Sequence, residues 1–200
     1  SGANSGDVNG VTFGDFENLE GAANSDDTFV LRETGSVDGV IDGGAAGFDS
    51  LDIAGGSYQT VRYSATGPDS GEIDFDGKII RYAGLEPITD NSDVANRIFT
   101  GTAFVDNISL KSGPTAGQLT IESDNGSFES HTFNNPTTSL TIDAAGAGDR
   151  ITIPIAFLNR EDVVAFLQSD FKRLAHEAGL HGVRAELQEA ITADYGDVLQ

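Results

Sequence analysis

The stretch Val40–Ile53 reads V-I-D-G-G-A-A-G-F-D-S-L-D-I, and it decides how the rest of the chain is interpreted. Two short apolar strand candidates, Val40–Ile41 and Leu51–Ile53, flank a turn that is rich in glycine and aspartate. Glycine adopts the positive φ angles that tight turns require and that other residues resist. The stretch therefore predicts two short strands joined by a tight acidic turn.

Short apolar segments separated by turn residues recur along the chain with nearly constant spacing. Strands every 8–12 residues are typical either of a sandwich or barrel or of a stacked solenoid. The constant step and the repeated turn chemistry favour a mainly β fold with a parallel β-solenoid, similar to a β-helix or β-roll, over residues 16–155. An antiparallel β-sandwich plus helices is the alternative. The strand centres, 11, 11, 11, 10 and 12 residues apart, are Leu19, Val30, Ile41, Asp52, Arg62 and Asp74.

The two ends of the chain differ from this repeating region. Residues 1–15 are rich in Gly, Asn, Ser and Asp, which predicts a linker or the end of a preceding module. In residues 156–200, Asn159 is a candidate N-cap and Gly179 a candidate C-cap around apolar residues at helical spacing. We expect a helical cap over the last turn of the solenoid or the start of the next module, with a partner-binding helix as the alternative.

The net negative charge of the chain limits the kinds of molecule that it is expected to bind. There are 32 acidic and 11 basic side chains, giving a formal net charge of −21. This charge argues against nucleic acid and anionic membrane surfaces as partners and makes cations the natural counterpart, with plain solubility as the alternative. Cysteine is absent, which excludes disulfides, and no run approaches the roughly 20 apolar residues of a membrane span.

Three segments carry a common glycine and aspartate pattern that leads into a strand. They end in Asp27-Thr28-Phe29, Asp49-Ser50-Leu51 and Asp149-Arg150-Ile151. Their order of parts resembles the calcium-binding nonapeptide G-G-x-G-x-D-x-U-x. Together with Phe16–Gly21 and Tyr82–Ile88, they resemble the repeat units of hemolysin-type calcium-binding (RTX-like) adhesins, which are very large bacterial proteins. The resemblance implies an extracellular location, at the cell surface or secreted, with calcium-assisted folding and an adhesive or structural role.

Carboxylates from neighbouring turns of a solenoid could hold calcium. Asp27 and Asp49 lie two strand steps apart, so they become neighbours if one turn of the solenoid takes about 22 residues. Turns favour aspartate and glycine without any metal, and alanines stand in or beside glycine positions at Ala22, Ala46 and Ala145. The candidate calcium ligands are Asp26, Asp27, Asp42, Asp49 and Asp52, with Asp143 and Asp149 as a second group.

An enzyme is the hypothesis from a different class. Parallel β-helices host polysaccharide-active enzymes, and Asp74 and Asp76 alternate so as to share one face of a strand. The chain has no tryptophan, and we interpret His131, His176 and His181 as surface or helix-end residues, so we predict no catalytic residue. A spacer or partner-binding module that needs no metal is the third hypothesis. The expected partners are neighbouring modules of the same long chain, a surface glycan or another cell-surface protein.

Overall fold

The computed structural model describes residues 2–146 and 148–153, and within these residues the chain forms strands and no helix. The prediction of a mainly β fold is confirmed. The strands are β1 (Ser5–Val8), β2 (Val11–Gly14), β3 (Leu19–Glu20), β4 (Thr28–Arg32), β5 (Val40–Asp42), β6 (Ser50–Ala54), β7 (Ser57–Gly67), β8 (Ser70–Phe75), β9 (Lys78–Ala83), β10 (Ile88–Asp90), β11 (Asp93–Thr100), β12 (Asn107–Ser112), β13 (Gln118–Ser123), β14 (His131–Asn134), β15 (Ser139–Asp143) and β16 (Arg150–Thr152).

Strands β3 to β16 form two mixed sheets of seven strands each. One sheet has the order β15-β11-β7-β8-β9-β5-β3, and the other has the order β16-β12-β13-β14-β10-β6-β4. Strands β1 and β2 pair separately as an antiparallel hairpin, and they lie within residues 1–15, the predicted linker or end of a preceding module. Asn9 and Gly10 form its turn with φ angles of 51° and 81°, and Asn-Gly is the pair that favours such a hairpin turn.

The regular spacing of the first strands corresponds to alternation between the two sheets. Strands β3 and β5 are parallel neighbours in one sheet, with Leu19 beside Ile41. Strands β4 and β6 are parallel neighbours in the other sheet, with Val30 beside Asp52. Residues 22 positions apart therefore become neighbours in each sheet. The segment Asp27-Thr28-Phe29 thus lies beside Asp49-Ser50-Leu51.

The later part of the predicted rhythm is wrong, because strands β7 to β9 are antiparallel. Arg62 and Asp74 lie opposite each other on β7 and β8 and are not successive steps of a repeat. Asp76 and Gly77 form the turn between β8 and β9, with φ angles of 52° and 97°. Strands β12 to β14 form a second antiparallel group in the other sheet.

The core lies between the two sheets, whose inner faces contact each other. The ring of Tyr63 on β7 lies edge-on to the ring of His131 on β14, with centroids 4.9 Å apart. Alternation along the strands places one set of side chains inward and the other outward, as on β8, where Ile73 and Phe75 are buried and Asp74 between them is half-buried.

Glycines allow neighbouring stretches of backbone to approach closely where the chain leaves the sheet that contains β3 and β5. Gly21 N donates a hydrogen bond to Asp42 O at 2.8 Å, and Gly43 N donates one to Ala83 O at 2.9 Å. A Cβ atom on Gly43 would overlap the carbonyl oxygen of Gly84. In contrast, Ala46 occupies a left-handed backbone conformation with φ 59°, as its place in a glycine position suggests.

The described residues include no helix that is long and apolar enough to cross a membrane. The predicted helical cap in residues 156–200, with His176 and His181, lies outside the described residues.

We expect Gly43→Ala to lower the free energy of unfolding by about 1 to 3 kcal/mol, because the added methyl group must displace backbone. Gly67→Ala is the matched control, since nothing lies within 4 Å of a Cβ at that position. Urea denaturation of both variants checks the prediction. Equal stability of the two variants would contradict the close approach at Gly43.

Candidate functional site

The first acidic corner lies where the chain enters β4 and β6. Asp27 N donates a hydrogen bond to Asp49 Oδ1 at 2.7 Å, so these two predicted calcium ligands are neighbours. Asp27 Oδ2 accepts hydrogen bonds from Ala22 N at 2.7 Å and from Ser25 Oγ at 2.9 Å. Asp49 is buried, with 3% of its surface exposed. Each carboxylate therefore satisfies backbone donors that no strand partner satisfies.

The same arrangement recurs at the other end of the two sheets, where the chain enters β12 and β16. Asp106 N donates a hydrogen bond to Asp149 Oδ1 at 2.9 Å. The carboxylate of Asp106 accepts hydrogen bonds from Thr102 N at 2.7 Å and Thr102 Oγ1 at 2.9 Å. Asp106 is fully buried, and it was not among the predicted ligands. The signal was present, because Gly101 precedes Asp106 by five residues and Gly43 precedes Asp49 by six.

The remaining predicted ligands do not join either pair in a common cluster. Asp42 Oδ1 accepts a hydrogen bond from Gly44 N at 2.9 Å, and Asp143 Oδ1 accepts one from Ala145 N at 3.0 Å. Asp26 Oδ1 accepts one from Phe48 N at 2.9 Å, which links residues 22 positions apart. Asp52 lies within β6, beside Val30 on one side and Thr89 on the other. Within residues 2–146 and 148–153, no three acidic or histidine side chains converge closely enough to hold a metal ion.

Two glutamates extend the row of acidic side chains from Asp49 across the sheet, and we call this row the acidic column. The register of β6, β10 and β14 aligns Asp49 with Glu86 and then with Glu129, each two residues before the paired positions Leu51, Ile88 and His131. Burial raises the pKa of Glu129, hydrogen bonds from Ser130 lower it, and the charges of Glu86 and Asp69 raise it further. The column therefore concentrates negative charge at one edge of the core.

A polar network occupies the centre of the core. Arg97 Nη1 donates hydrogen bonds to Asp90 Oδ2 at 2.6 Å and to Tyr63 Oη at 2.7 Å, and the Tyr63 hydroxyl also donates to Asp90. Ser92 N donates to Asp90 Oδ1 at 2.8 Å, while Arg97 Nη2 donates to the Ser92 carbonyl at 2.9 Å. Both members of the ion pair are 1% exposed. Burial lowers the pKa of the Arg97 guanidinium, but the electrostatic interactions and hydrogen bonds with Tyr63 and Asp90 outweigh burial and raise this pKa.

His131 lies beside this network, so its interpretation as a surface residue is wrong. It is 1% exposed and contacts the rings of Tyr63, Tyr82 and Phe99. Its Nε2 atom lies 3.3 Å from Tyr82 Oη, whereas its Nδ1 atom has no hydrogen-bond partner among the described residues. Burial lowers the pKa of His131 to about 3, so the ring is neutral at pH 7. Inward alternation on β14, with Phe133 also buried, was the signal for its burial.

The two carboxylates of the enzyme hypothesis also accept backbone hydrogen bonds. Asp76 accepts from Gln59 N and Thr60 N, each at 2.8 Å, and Asp74 accepts from Gly77 N at 2.6 Å. Asp74 thus closes the β8–β9 turn, and Asp76 connects that turn to the start of β7. These contacts give Asp74 and Asp76 a structural role that requires no substrate.

Comparison with protein families, with characterised proteins and with solved structures finds nothing that matches this chain. The calcium, adhesin and location predictions therefore stay predictions.

We expect Arg97→Met to lower the free energy of unfolding by about 3 to 5 kcal/mol, because Asp90 would remain buried without its partner. The double variant Arg97→Met with Asp90→Leu is expected to recover much of that loss, since it removes both charges. Tyr63→Phe, which removes only the hydroxyl group, is the control. Chemical denaturation measures all three variants. A double variant no more stable than Arg97→Met would contradict the account of an uncompensated buried charge.

Proposed function

We propose that the chain is a structural segment of a large extracellular bacterial protein. In this proposal the strands form a parallel β-solenoid with two antiparallel insertions, and the segment holds adjoining modules of the same long chain in position. The observation that carries the proposal is the hydrogen bond from Asp27 N to Asp49 Oδ1, together with the in-register pairing of β4 and β6. Such a repeated corner supports stacking of one turn on the next.

The location of the polar groups supports a structural role over catalysis. The ionisable side chains of the buried ion pair, Arg97 and Asp90, are enclosed by the two sheets and bind each other and Ser92. A catalytic pair must contact a substrate, which these residues cannot do in a closed core. An adhesive role, through contact with a surface glycan or another cell-surface protein, is compatible with the same architecture.

The proposed location is tested on the organism that carries the gene. An antibody raised against the purified chain is expected to label intact cells or to detect the protein in the culture medium. A cytoplasmic protein labelled in parallel serves as the control for cell lysis. Signal that appears only after the cells are broken would contradict the extracellular proposal. Depolymerisation of a polysaccharide by the purified chain would instead favour the enzyme hypothesis.

Calcium stabilisation is a second proposal that rests on the first acidic corner. Asp26, Asp27 and Asp49 come from neighbouring turns, and Asp27 Oδ1 accepts no hydrogen bond from the described residues. Carboxylate oxygens are the ligands that calcium prefers. Asp27 Oδ2 and Asp49 Oδ1 already accept hydrogen bonds without a metal ion. This favours the alternative hypothesis of a spacer module that needs no metal.

If calcium binds at this corner, calcium at a hundredfold excess over its dissociation constant stabilises the chain by about 2.7 kcal/mol relative to EDTA. The Asp27→Asn variant should lose this difference, while Asp74→Asn, on a different strand, should keep it. Thermal melting of the three proteins in calcium and in EDTA makes the measurement. Equal stability of the unmodified chain in both buffers would leave backbone hydrogen bonding as the function of these carboxylates.

A further inference from the structure

The two ends of the paired sheets expose side chains that elsewhere fill the core. Ile151 is 41% exposed, although its neighbour in register, Ile108, is 0% exposed, and Ile153, just after β16, is 42% exposed. At the opposite end, Phe29 on β4 is only half-buried, while its neighbour Leu51 is fully buried. In the described part of the chain, no further strand pairs with β4 and β3 or with β16 and β15 on their outer sides.

The corner hydrogen bonds leave complementary groups at these two ends. Within the sheets, an aspartate amide donates to the carboxylate of the next aspartate, from Asp27 to Asp49 and from Asp106 to Asp149. Both bonds run in the same direction along the chain. Among the described residues, Asp149 N has no acceptor and Asp27 Oδ1 has no donor. Among the residues that the structure describes, one end therefore has a donor without an acceptor, and the other end presents an acceptor without a donor.

The side chains at the two ends match in the same register. If Asp149 lies beside Asp27, Ile151 lies beside Phe29 and Ile153 lies beside Leu31. In the other sheet, Gly21 and Gly101 follow their strands and donate to the next strand, and Ala144 holds the same place after β15. Pairing of Ala144 with Gly21 of a following copy would place Ile142 beside Leu19. Apolar residues then meet apolar residues in both sheets, and the parallel strand direction is kept.

We propose that a second copy of this chain adds to the first from head to tail, with β4 and β3 of one copy pairing with β16 and β15 of the other. The inference rests on the parallel β-solenoid proposed above. The strand that pairs with β16 must carry an aspartate that accepts from Asp149 N, followed two residues later by an inward apolar residue. Asp27 and Phe29 of a second copy meet both requirements. Such a contact joins different surfaces and does not close, so it builds open-ended assemblies. The net charge of −21 opposes assembly, so salt promotes it by screening.

A substitution on β4 can block its free edge without removing a backbone hydrogen bond between β4 and β6. Ser50 N donates to Asp27 O, so residues 27, 29 and 31 form the ladder with β6. Backbone groups of alternate residues in a parallel strand point to opposite neighbours, so Val30 N points to the free edge. Proline at position 30 removes that donor only, and Val30→Thr is the control that keeps it.

Sedimentation of the full chain over a range of concentrations, in high salt with EDTA, tests the proposal. The unmodified chain and Val30→Thr are expected to form assemblies that lengthen with concentration, and Val30→Pro is expected to stay monomeric with an unchanged melting temperature. Ile151→Lys blocks the opposite end and provides a second variant should Val30→Pro fail to fold. An equimolar mixture of Val30→Pro and Ile151→Lys keeps one intact copy of each end and should therefore stop at the dimer.

A monomeric unmodified chain at every concentration would overturn the inference, since it would mean that the edges are covered in another way, as by the helical cap predicted for residues 156–200. Assembly of Val30→Pro or Ile151→Lys alone to the same extent as the unmodified chain would also overturn it. Either result leaves the extracellular proposal intact, because that proposal depends on where the protein is found. EDTA in the buffer separates strand addition from bridging of carboxylates by calcium.

Discussion

The rest of the structure depends on carboxylates that accept hydrogen bonds from backbone amides where the chain passes from one sheet to the other. Each crossing takes the backbone out of its strand ladder and leaves N–H groups without a strand partner. An unsatisfied buried donor costs about 1 to 3 kcal/mol, and a bond to a charged acceptor is stronger than a neutral one. Asp49 and Asp106 sit at these crossings in buried positions. Part of the acidic excess of the chain therefore has a structural role.

The buried network links strands that are distant in sequence. Tyr63 comes from β7, Asp90 from β10 and Arg97 from β11, and Arg97 Nε also donates to the carbonyl of Asn134 on β14 at 3.2 Å. A shift of any of these strands by one residue would turn its inward side chain to the outer face and leave a buried charge unpaired. Apolar contacts tolerate such shifts better than a charge does. The network thus fixes the register where the two sheets change from parallel to antiparallel pairing.

The sequence predicted the local turns well and the long-range pairing only in part. Asp27 and Asp49 could be matched because their segments share one length and one turn chemistry. The pairing of Leu51 with Ile88 could not, because the chain between them makes strands β7 to β9 before it returns to the other sheet. Spacing alone does not distinguish a parallel step from an antiparallel hairpin of the same length. His131 was misjudged because a polar ring was expected at the surface, although its alternation with Phe133 on β14 places it inward.

The antiparallel groups β7 to β9 and β12 to β14 preserve the strand direction of both sheets. Three antiparallel strands return the chain to its starting direction, so β9 runs parallel to β5 and β7 runs parallel to β11. Because one such group lies in each sheet, both sheets have seven strands. The inner faces therefore cover each other except at the two ends, where Phe29 and Ile151 are partly exposed.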